Sequence, residues 1–492
     1  MTNTVSRLVP IVLLEEQSGR ATSGGETYFR PSSRHGSNFG TSFRRSLGYQ
    51  RTDTTISMDS LFRPLRRHVN VTPHVSSTSD ASAASMSPGI VGEDPQPCPP
   101  VLLVTQWYGG NGVGLVVEGI AHALCDLGVT VVVLQLAPDG WLPHSRRGRK
   151  GELIVSVCLR PISSSQSRSR RCAAQLRGLL AKSVVVRLVR RFDLKVAHFH
   201  YALPEYVIAH RICVQSGLQC LLTFHGSDVA VNMAEPRARE ATALLLKNCR
   251  AVTAVSDALR QDVIALFPES APFTYTVHNA VPEDILAEAL HAAAVCRDID
   301  VLFVGYLAPH KGADVLIRAI ACVAKNVSPL SVVIVGDGPD APKLARMVDE
   351  LGIHRSVRFV GWTSRAELAP LYLRSRVLSV PSRREGFGLV VVEGQVCGAA
   401  VVASAVGGIP EIITDGRTGL MVSPDDPHAL AAALTRLLQD EPARLAIAEA
   451  ARTNALRKFS PTAMASHYWD VYRTVAGAMP EGSMVDVHHG QA

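Results

Sequence analysis

The ten cysteines of this 492-residue chain form no C-x-x-C pair. That spacing argues against a structural zinc site or a disulfide framework, and it suits a reducing, cytoplasmic setting. No run of roughly eighteen apolar residues occurs, so a membrane-spanning helix is not expected. The apolar run from Pro10 to Leu14 is too short for a signal-peptide core. No acidic cluster stands out at the end of a strand as a Mg²⁺ site, so neither a metal nor a cofactor is expected. The segment from Arg146 to Lys195 has one aromatic residue, Phe192. It therefore lacks the interleaved aromatic pattern of a nucleic-acid surface.

What is present suffices for sizeable cores: 47% of the residues are hydrophobic, and the length allows two or three domains. The net charge of +7 is unevenly placed. Between Arg146 and Lys195, fourteen Lys or Arg stand against Glu152 and Asp193, a local excess of +12. From Ala173 to Phe192 the apolar spacing is that of a helix face, with Arg177, Lys182, Arg187, Arg190 and Arg191 among it. Such a helix suits an anionic membrane surface or an acidic acceptor, and would place the protein peripherally at the inner face of a membrane. Residues 1–97 are rich in Ser, Thr, Arg and Gly without periodicity and are expected to be disordered. Met58 and Met86 are candidate internal starts. The tail 479–492 reads as disordered as well.

A first domain, 98–282, opens with a strand at Val101 to Thr105. Glycines follow at 109, 110, 112 and 114, then an amphipathic helix ending at Gly128 and a second strand. This is the start of a doubly wound α/β domain. The glycine spacing is irregular and Gln135, not an acid, stands near the end of the second strand, which argues against a dinucleotide site. Leu153 to Leu159, Asp193 to His200 and Cys220 to Phe224 read as further strands. The last runs into His225-Gly226-Ser227-Asp228, and a turn bearing His and Asp at that end of a parallel strand is where such folds keep their chemistry. His198, His200 and His210 are read as core residues. Ala251 to Arg260 reads as a strand and a helix capped by Ser256 or Asp257.

In a second domain, 283–460, Asp298 to Leu307, Leu330 to Pro339 and Val357 to Trp362 read as strands or strand-and-turn. Lys311 stands at a helix start, a poor place for an ammonium against the helix dipole unless an anion shares the site. Val377 to Val380 is a buried strand stopped by Pro381 and Ser382. Gly386 and Gly388 allow a sharp turn into a helix starting near Phe387 or Gly388, whose free amides make an anion site. Glu385 lies in the turn. Glu393 lies eight residues on, about 12 Å of helical rise. The pair would frame an elongated ligand with an anionic middle, the shape of a nucleotide sugar. From Pro427 the pattern is helical to about Ala476, with 461–478 as a terminal helix.

The stretch Pro381 to Leu389, the two glutamates with seven residues between them, and Gly407 to Ile413 (G-G-I-P-E-I-I) together resemble the signature of family 4 retaining glycosyltransferases of group 1. The resemblance covers about Pro99 to Ala476. It implies an α/β GT-B fold, two Rossmann-like doubly wound domains facing a central cleft, with the terminal helix crossing back to the first domain. The first domain would bind the acceptor and the second the donor, a UDP- or GDP-linked sugar. His225 would face the transferred sugar, Glu385 its hydroxyls and reacting face, and Lys311 the diphosphate. Gly112, or alternatively Gly110, would meet the donor phosphate. Gly361 and Trp362 would lie beside the base, Gly386, Phe387, Gly388 and Leu389 along the donor, and Glu393 at the ribose. A hexose or related sugar would pass, with retained configuration and without a metal, to a glycan, lipid-linked or small-molecule acceptor.

The family usually carries an arginine where this chain has Tyr306, and Arg383 and Arg384 are the candidates to replace it. Tyr306 favours one alternative, a non-catalytic nucleotide-sugar-binding protein. A GT-B epimerase or phosphorylase is disfavoured by the second-domain motif, and an NAD oxidoreductase by the irregular glycine turn.

Overall fold

The computed structural model describes residues 98–110, 112–137, 142–159, 168–293 and 295–477. The expectations of disorder for 1–97 and 479–492 lie outside these residues.

The first sheet contains β1 (Val101–Thr105), β2 (Val131–Leu136), β3 (His144–Arg147), β4 (Leu153–Val157), β5 (Val196–His200), β6 (Gln219–Phe224), β7 (Cys249–Ala254) and β8 (Thr274–Thr276). Its order is β3-β4-β2-β1-β5-β6-β7-β8, parallel throughout except that β3 is antiparallel to β4. β1, β4 and β5 are buried along their whole length, as continuous apolar strands covered on both faces should be. The connections are made by α1 (Val113–Asp126), α2 (Arg168–Phe192), α3 (Tyr206–Gln215), α4 (Ser227–Ala230), α5 (Pro236–Leu246) and α6 (Asp257–Leu266). β3, H-S-R-R, gives no apolar alternation to read. Its exposed cations suit an edge strand, where charge discourages pairing with another chain.

The second sheet is parallel, in the order β11-β10-β9-β12-β13-β14. It is built from β9 (Ile299–Val304), β10 (Val332–Val335), β11 (Val357–Gly361), β12 (Ser375–Val380), β13 (Ala400–Ser404) and β14 (Leu420–Val422). Its helices are α7 (Glu283–His291), α8 (Ala313–Val323), α9 (Ala341–Glu350), α10 (Arg365–Leu373), α11 (Leu389–Val396), α12 (Ile409–Ile412), α13 (Pro427–Gln439) and α14 (Glu441–Lys458). α15 (Pro461–Val475) lies on the first domain: its Met464, Tyr468, Val471 and Tyr472 share a buried cluster with Val117, Ile120 and Leu124 of α1 and Leu103 of β1. Each large side chain buried there contributes roughly 1.5–3 kcal/mol to the contact.

The basic stretch divides between two elements. Arg146 and Arg147 are on β3, and most of the rest is on α2. The second half of α2 packs inward through Ala181, Val184, Val185 and Leu188, whereas Leu176 and Leu179 are 53% and 64% exposed.

Both sheets have a point where strand order reverses: between β1 and β5 in the first, and between β9 and β12 in the second. Open α/β sheets bind ligands outside the carboxyl ends of their strands at such points.

Candidate active site

At the second-domain reversal, the loops leaving β9 and β12 meet. Gly312 has a φ of 69°, and a Cβ added there would lie 1.9 Å from the carbonyl oxygen of Pro381. Only glycine fits that approach. The contact brings Lys311 Nζ within 2.7 Å of Glu385 Oε2, to which Ser382 Oγ also donates at 3.2 Å. The ammonium whose position is poor for the helix dipole thus has an anion beside it. Gly388, in the left-handed conformation at φ 106°, precedes α11, and no side chain caps that helix. Its leading amides follow Glu385 within a few residues of chain, after a turn formed by Gly386, Phe387, Gly388 and Leu389.

Glycines also seat this turn against the first domain. A Cβ on Gly226 would come 2.8 Å from Gly386 Cα, and one on Gly386 would come 2.6 Å from the His225 carbonyl. Ser256 Oγ donates to the Gly386 carbonyl at 2.6 Å. From below, Gly407 has a φ of 52°, and a Cβ there would lie 1.7 Å from the Glu385 carbonyl. The G-G-I-P-E-I-I motif is therefore the bed on which the Glu385 turn rests.

Glu411, the acid of that motif, reaches across the cleft. Its carboxylate accepts from Asp257 N at 2.8 Å and Ala258 N at 3.0 Å, and lies 2.7 Å from His278 Nε2. A second-domain residue thus caps α6 of the first domain, beside the helix's own cap, Ser256, which accepts from Leu259 N. Burial alone would raise the Glu411 carboxyl, but His278 and the two amides outweigh it and hold it below its ordinary value. A depressed carboxyl stabilises above its unfolded pKa and ceases to do so as pH falls through the folded one. Glu411→Ala leaves three donors without their acceptor and is expected to cost about 1–3 kcal/mol of stability. Thermal midpoints of the two proteins should differ at neutral pH and converge on acidification below about pH 4.5. A constant difference down to the acid limit would show that the carboxylate is not what holds the contact.

The His225 turn is fixed by Asp228, which is fully buried and accepts from His225 N, Gly226 N, Ala202 N and Val229 N. Burial pushes its carboxyl up to about 6 in spite of those amides. Burial also pushes the His225 imidazole down to about 3, so the ring is neutral at ordinary pH. A neutral ring suits hydrogen bonding to a hydroxyl rather than neutralising a phosphate. Behind it stand His200 and His198, both fully buried. His198 lies 2.8 Å from Tyr472 Oη of α15 and 2.6 Å from Thr223 Oγ1. His210 is also buried, against Phe199.

The remaining predicted residues are placed as follows. Gly110 and Gly112 both have positive φ, at 85° and 49°, with Gly112 immediately before α1. Gly361 ends β11 at φ 79°, and Trp362 beyond it is 65% exposed. Glu393 is only 3% exposed: Tyr372 Oη donates to it at 2.7 Å and Arg365 Nη1 at 3.4 Å. Burial raises its carboxyl above the ordinary range, against the lowering effect of Arg365. Arg365 also forks onto Asp284 at 2.6 and 2.8 Å. It was not singled out in the sequence, because only folding brings this helix-start arginine to Glu393. Tyr306 is 59% exposed. Arg383 does not stand in for the missing arginine: it is held by Asp314 at 2.8 and 3.0 Å and by Asp425 at 2.6 Å. Arg384 is exposed.

Comparisons with known proteins fall on both halves of this cleft. The family described as "Glycosyltransferase Family 4" matches residues 110–285, and "Glycosyl transferases group 1" matches 293–454. The D-inositol 3-phosphate glycosyltransferase of Corynebacterium glutamicum is 37% identical over 197 residues, 39% of this chain and 46% of that protein. The chain thus spans about half the length of such relatives. The N-acetyl-alpha-D-glucosaminyl L-malate synthase of Bacillus anthracis is 26% identical, over 60% of this chain and 79% of its own. Among solved structures, Anabaena HepE in complex with UDP superposes with a TM-score of 0.59 at 19% identity, covering 76% of this chain and all of its own. Sucrose-phosphate synthase from Thermosynechococcus elongatus gives 0.60 at 23%, covering 77% and 100%. At these identities the likeness is one of fold.

Proposed function

Because the chain belongs to the group 1, family 4 glycosyltransferases and has their GT-B fold, we propose that it transfers a sugar, with retention, from a nucleotide sugar to a hydroxyl acceptor. The observation that carries this reading is the Lys311–Glu385 pair at the second-domain reversal, beside the uncapped start of α11. Breaking the bond between the anomeric carbon and the phosphate oxygen places charge on the leaving diphosphate. Lys311 and the leading amides of α11 stabilise that charge without a metal ion. Glu385 and neutral His225 hold the sugar hydroxyls from opposite walls. The acceptor hydroxyl attacks from the face the diphosphate leaves, and its proton passes to the departing phosphate oxygen. Gly361 and Trp362 flank the base, and Glu393 meets the ribose.

HepE has been solved with UDP-glucose as well as with UDP, which makes UDP-glucose the first donor to test. The names of the sequence relatives make D-inositol 3-phosphate and L-malate the first acceptors. Release of nucleoside diphosphate from UDP-glucose, UDP-N-acetylglucosamine and GDP-mannose, with and without acceptor, tests the activity, and the anomeric signal of the product tests retention. Binding without release from any donor would favour the non-catalytic alternative.

α2 extends the reading to location. Leu176 and Leu179 stand one turn apart on its exposed side, among the cations of a helix that carries no Asp or Glu. Each cation near an anionic leaflet contributes about 1 kcal/mol. No described helix is long and apolar enough to cross a membrane. The expected result is co-sedimentation with anionic vesicles that falls with added salt and weakens in Leu176→Ser/Leu179→Ser. Equal partitioning to neutral and anionic vesicles, or none at low salt, would remove the membrane and leave a soluble acceptor.

A further inference from the structure

The first domain has a reversal point of its own, between β1 and β5, and two aromatic rings line it. Trp107 follows β1 and is 42% exposed, and Tyr201 follows β5. Their centroids are 5.7 Å apart in an edge-to-face arrangement at 86°. Both sit on fixed backbone. Thr105 Oγ1 accepts from Trp107 N at 3.1 Å and lies 2.7 Å from its carbonyl oxygen. Tyr201 is held at a φ of 78°, rare for a bulky residue and costly unless its surroundings enforce it. They do so: Tyr201 N donates to the Thr223 carbonyl at 2.9 Å, and its hydroxyl lies 3.1 Å from Ser227 Oγ, two residues past His225.

The loops of this crevice supply no cation. Residues 105–114, 200–207 and 225–231, the three loops at the edge of β1, β5 and β6, contain no Lys or Arg. Their two acids, Glu205 and Asp228, would repel a phosphate rather than bind it. Asp228 is spent on backbone amides, and Glu118 of α1 stands behind Gly109. What the crevice offers is a partly exposed indole, a phenol ring at right angles to it, and the hydroxyls of Tyr201 and Ser227. A pyranose or cyclitol ring has the matching surfaces, an apolar C–H face and a hydroxyl rim, and aromatic side chains take such amphipathic partners.

We infer that Trp107 and Tyr201 form an acceptor subsite for an uncharged pyranose or cyclitol ring, which stacks on Trp107 and sets its rim against Tyr201 and Ser227. This rests on the glycosyltransferase reading and adds to it the class of acceptor. Any phosphate on the acceptor lies away from this ring.

The test uses the full chain labelled with 5-fluorotryptophan. It has four tryptophans, and the Trp107 resonance is the one lost in Trp107→Phe. Methyl β-D-glucopyranoside or myo-inositol is expected to shift that resonance, and inorganic phosphate is not. Trp107→Ala is expected to raise KM for the ring acceptor about tenfold, with the smaller part of the loss in kcat, while UDP still shifts the Trp362 resonance at the same concentrations. Trp107→Phe, which keeps a ring face, should recover most of the loss. The inference is overturned if neither ring compound moves the Trp107 resonance, if KM is unaltered in Trp107→Ala, or if UDP binding falls in parallel, which marks a structural role. Failure of the glycosyltransferase reading looks different: UDP and UDP-glucose then leave Trp362 unmoved and no UDP is released, whatever Trp107 does.

Discussion

Glu385→Gln is expected to remove most sugar transfer, on the order of 10²-fold or more, while leaving UDP affinity intact or raised. The carboxylate sits 2.7 Å from Lys311 and 3.2 Å from Ser382 Oγ, so without a donor the two charges answer one another. On the proposed function, a bound nucleotide sugar would bring the negative charge of its diphosphate, and Lys311 would turn towards it. Glu385 would then be left to the sugar hydroxyls. Glutamine keeps the shape of the side chain but exchanges a charge-assisted hydrogen bond for a neutral one of roughly half the strength. Lys311, released from its partner, offers its whole charge to the phosphate. The variant should therefore separate two quantities that a misfolded turn would lower together. Single-turnover transfer and calorimetric UDP binding on the same preparation measure both. Near-native transfer, or a parallel loss of UDP binding, would sink the assignment of Glu385 to the reacting sugar.

Lys311→Ala carries the second large effect, and its sign on binding is opposite. A hydrogen bond from an ammonium to phosphate is worth about 1.5–3 kcal/mol, so UDP affinity should fall roughly 10- to 150-fold. UMP lacks the second phosphate that Lys311 is proposed to contact and should lose much less. Transfer should fall further than binding, because charge on the leaving diphosphate grows in the transition state. The comparison between the two nucleotides also controls for structure. Removing Lys311 strips Glu385 of its partner, and any collapse of the turn would weaken UMP and UDP alike. Equal losses would mean that Lys311 acts through the Glu385 contact alone.

Most elements were legible because their signals are local. β1 and β13 each open on four unbroken apolar residues, α11 follows a glycine turn, and Ser256 is a cap residue directly before an amphipathic helix. Each of these is specified by neighbours within a few residues, which is the range over which periodicity and turn chemistry act. β3 escaped because an exposed edge strand of charged residues repeats nothing. The same limit applied within the site. Arg383, adjacent to the signature, looked available for a phosphate, but Asp314 and Asp425 lie 69 and 42 residues away in the chain and claim it.

The sequence by itself determined two α/β domains, the order of their strands along the chain, and the turns that carry His225, Lys311 and Glu385. Hydrophobic period, glycine placement and cap residues encode these without reference to the rest of the molecule. Only the tertiary structure decided which side chains meet. Lys311 pairs with Glu385, Glu411 caps a helix 154 residues earlier, Ser256 holds a carbonyl 130 residues later, and Tyr201 meets Trp107 in a T-shaped contact. Contacts of that kind depend on how two sheets reverse their strand order and lie against each other. That arrangement follows from burying all the apolar faces at once, a property of the whole chain that no short stretch of residues carries.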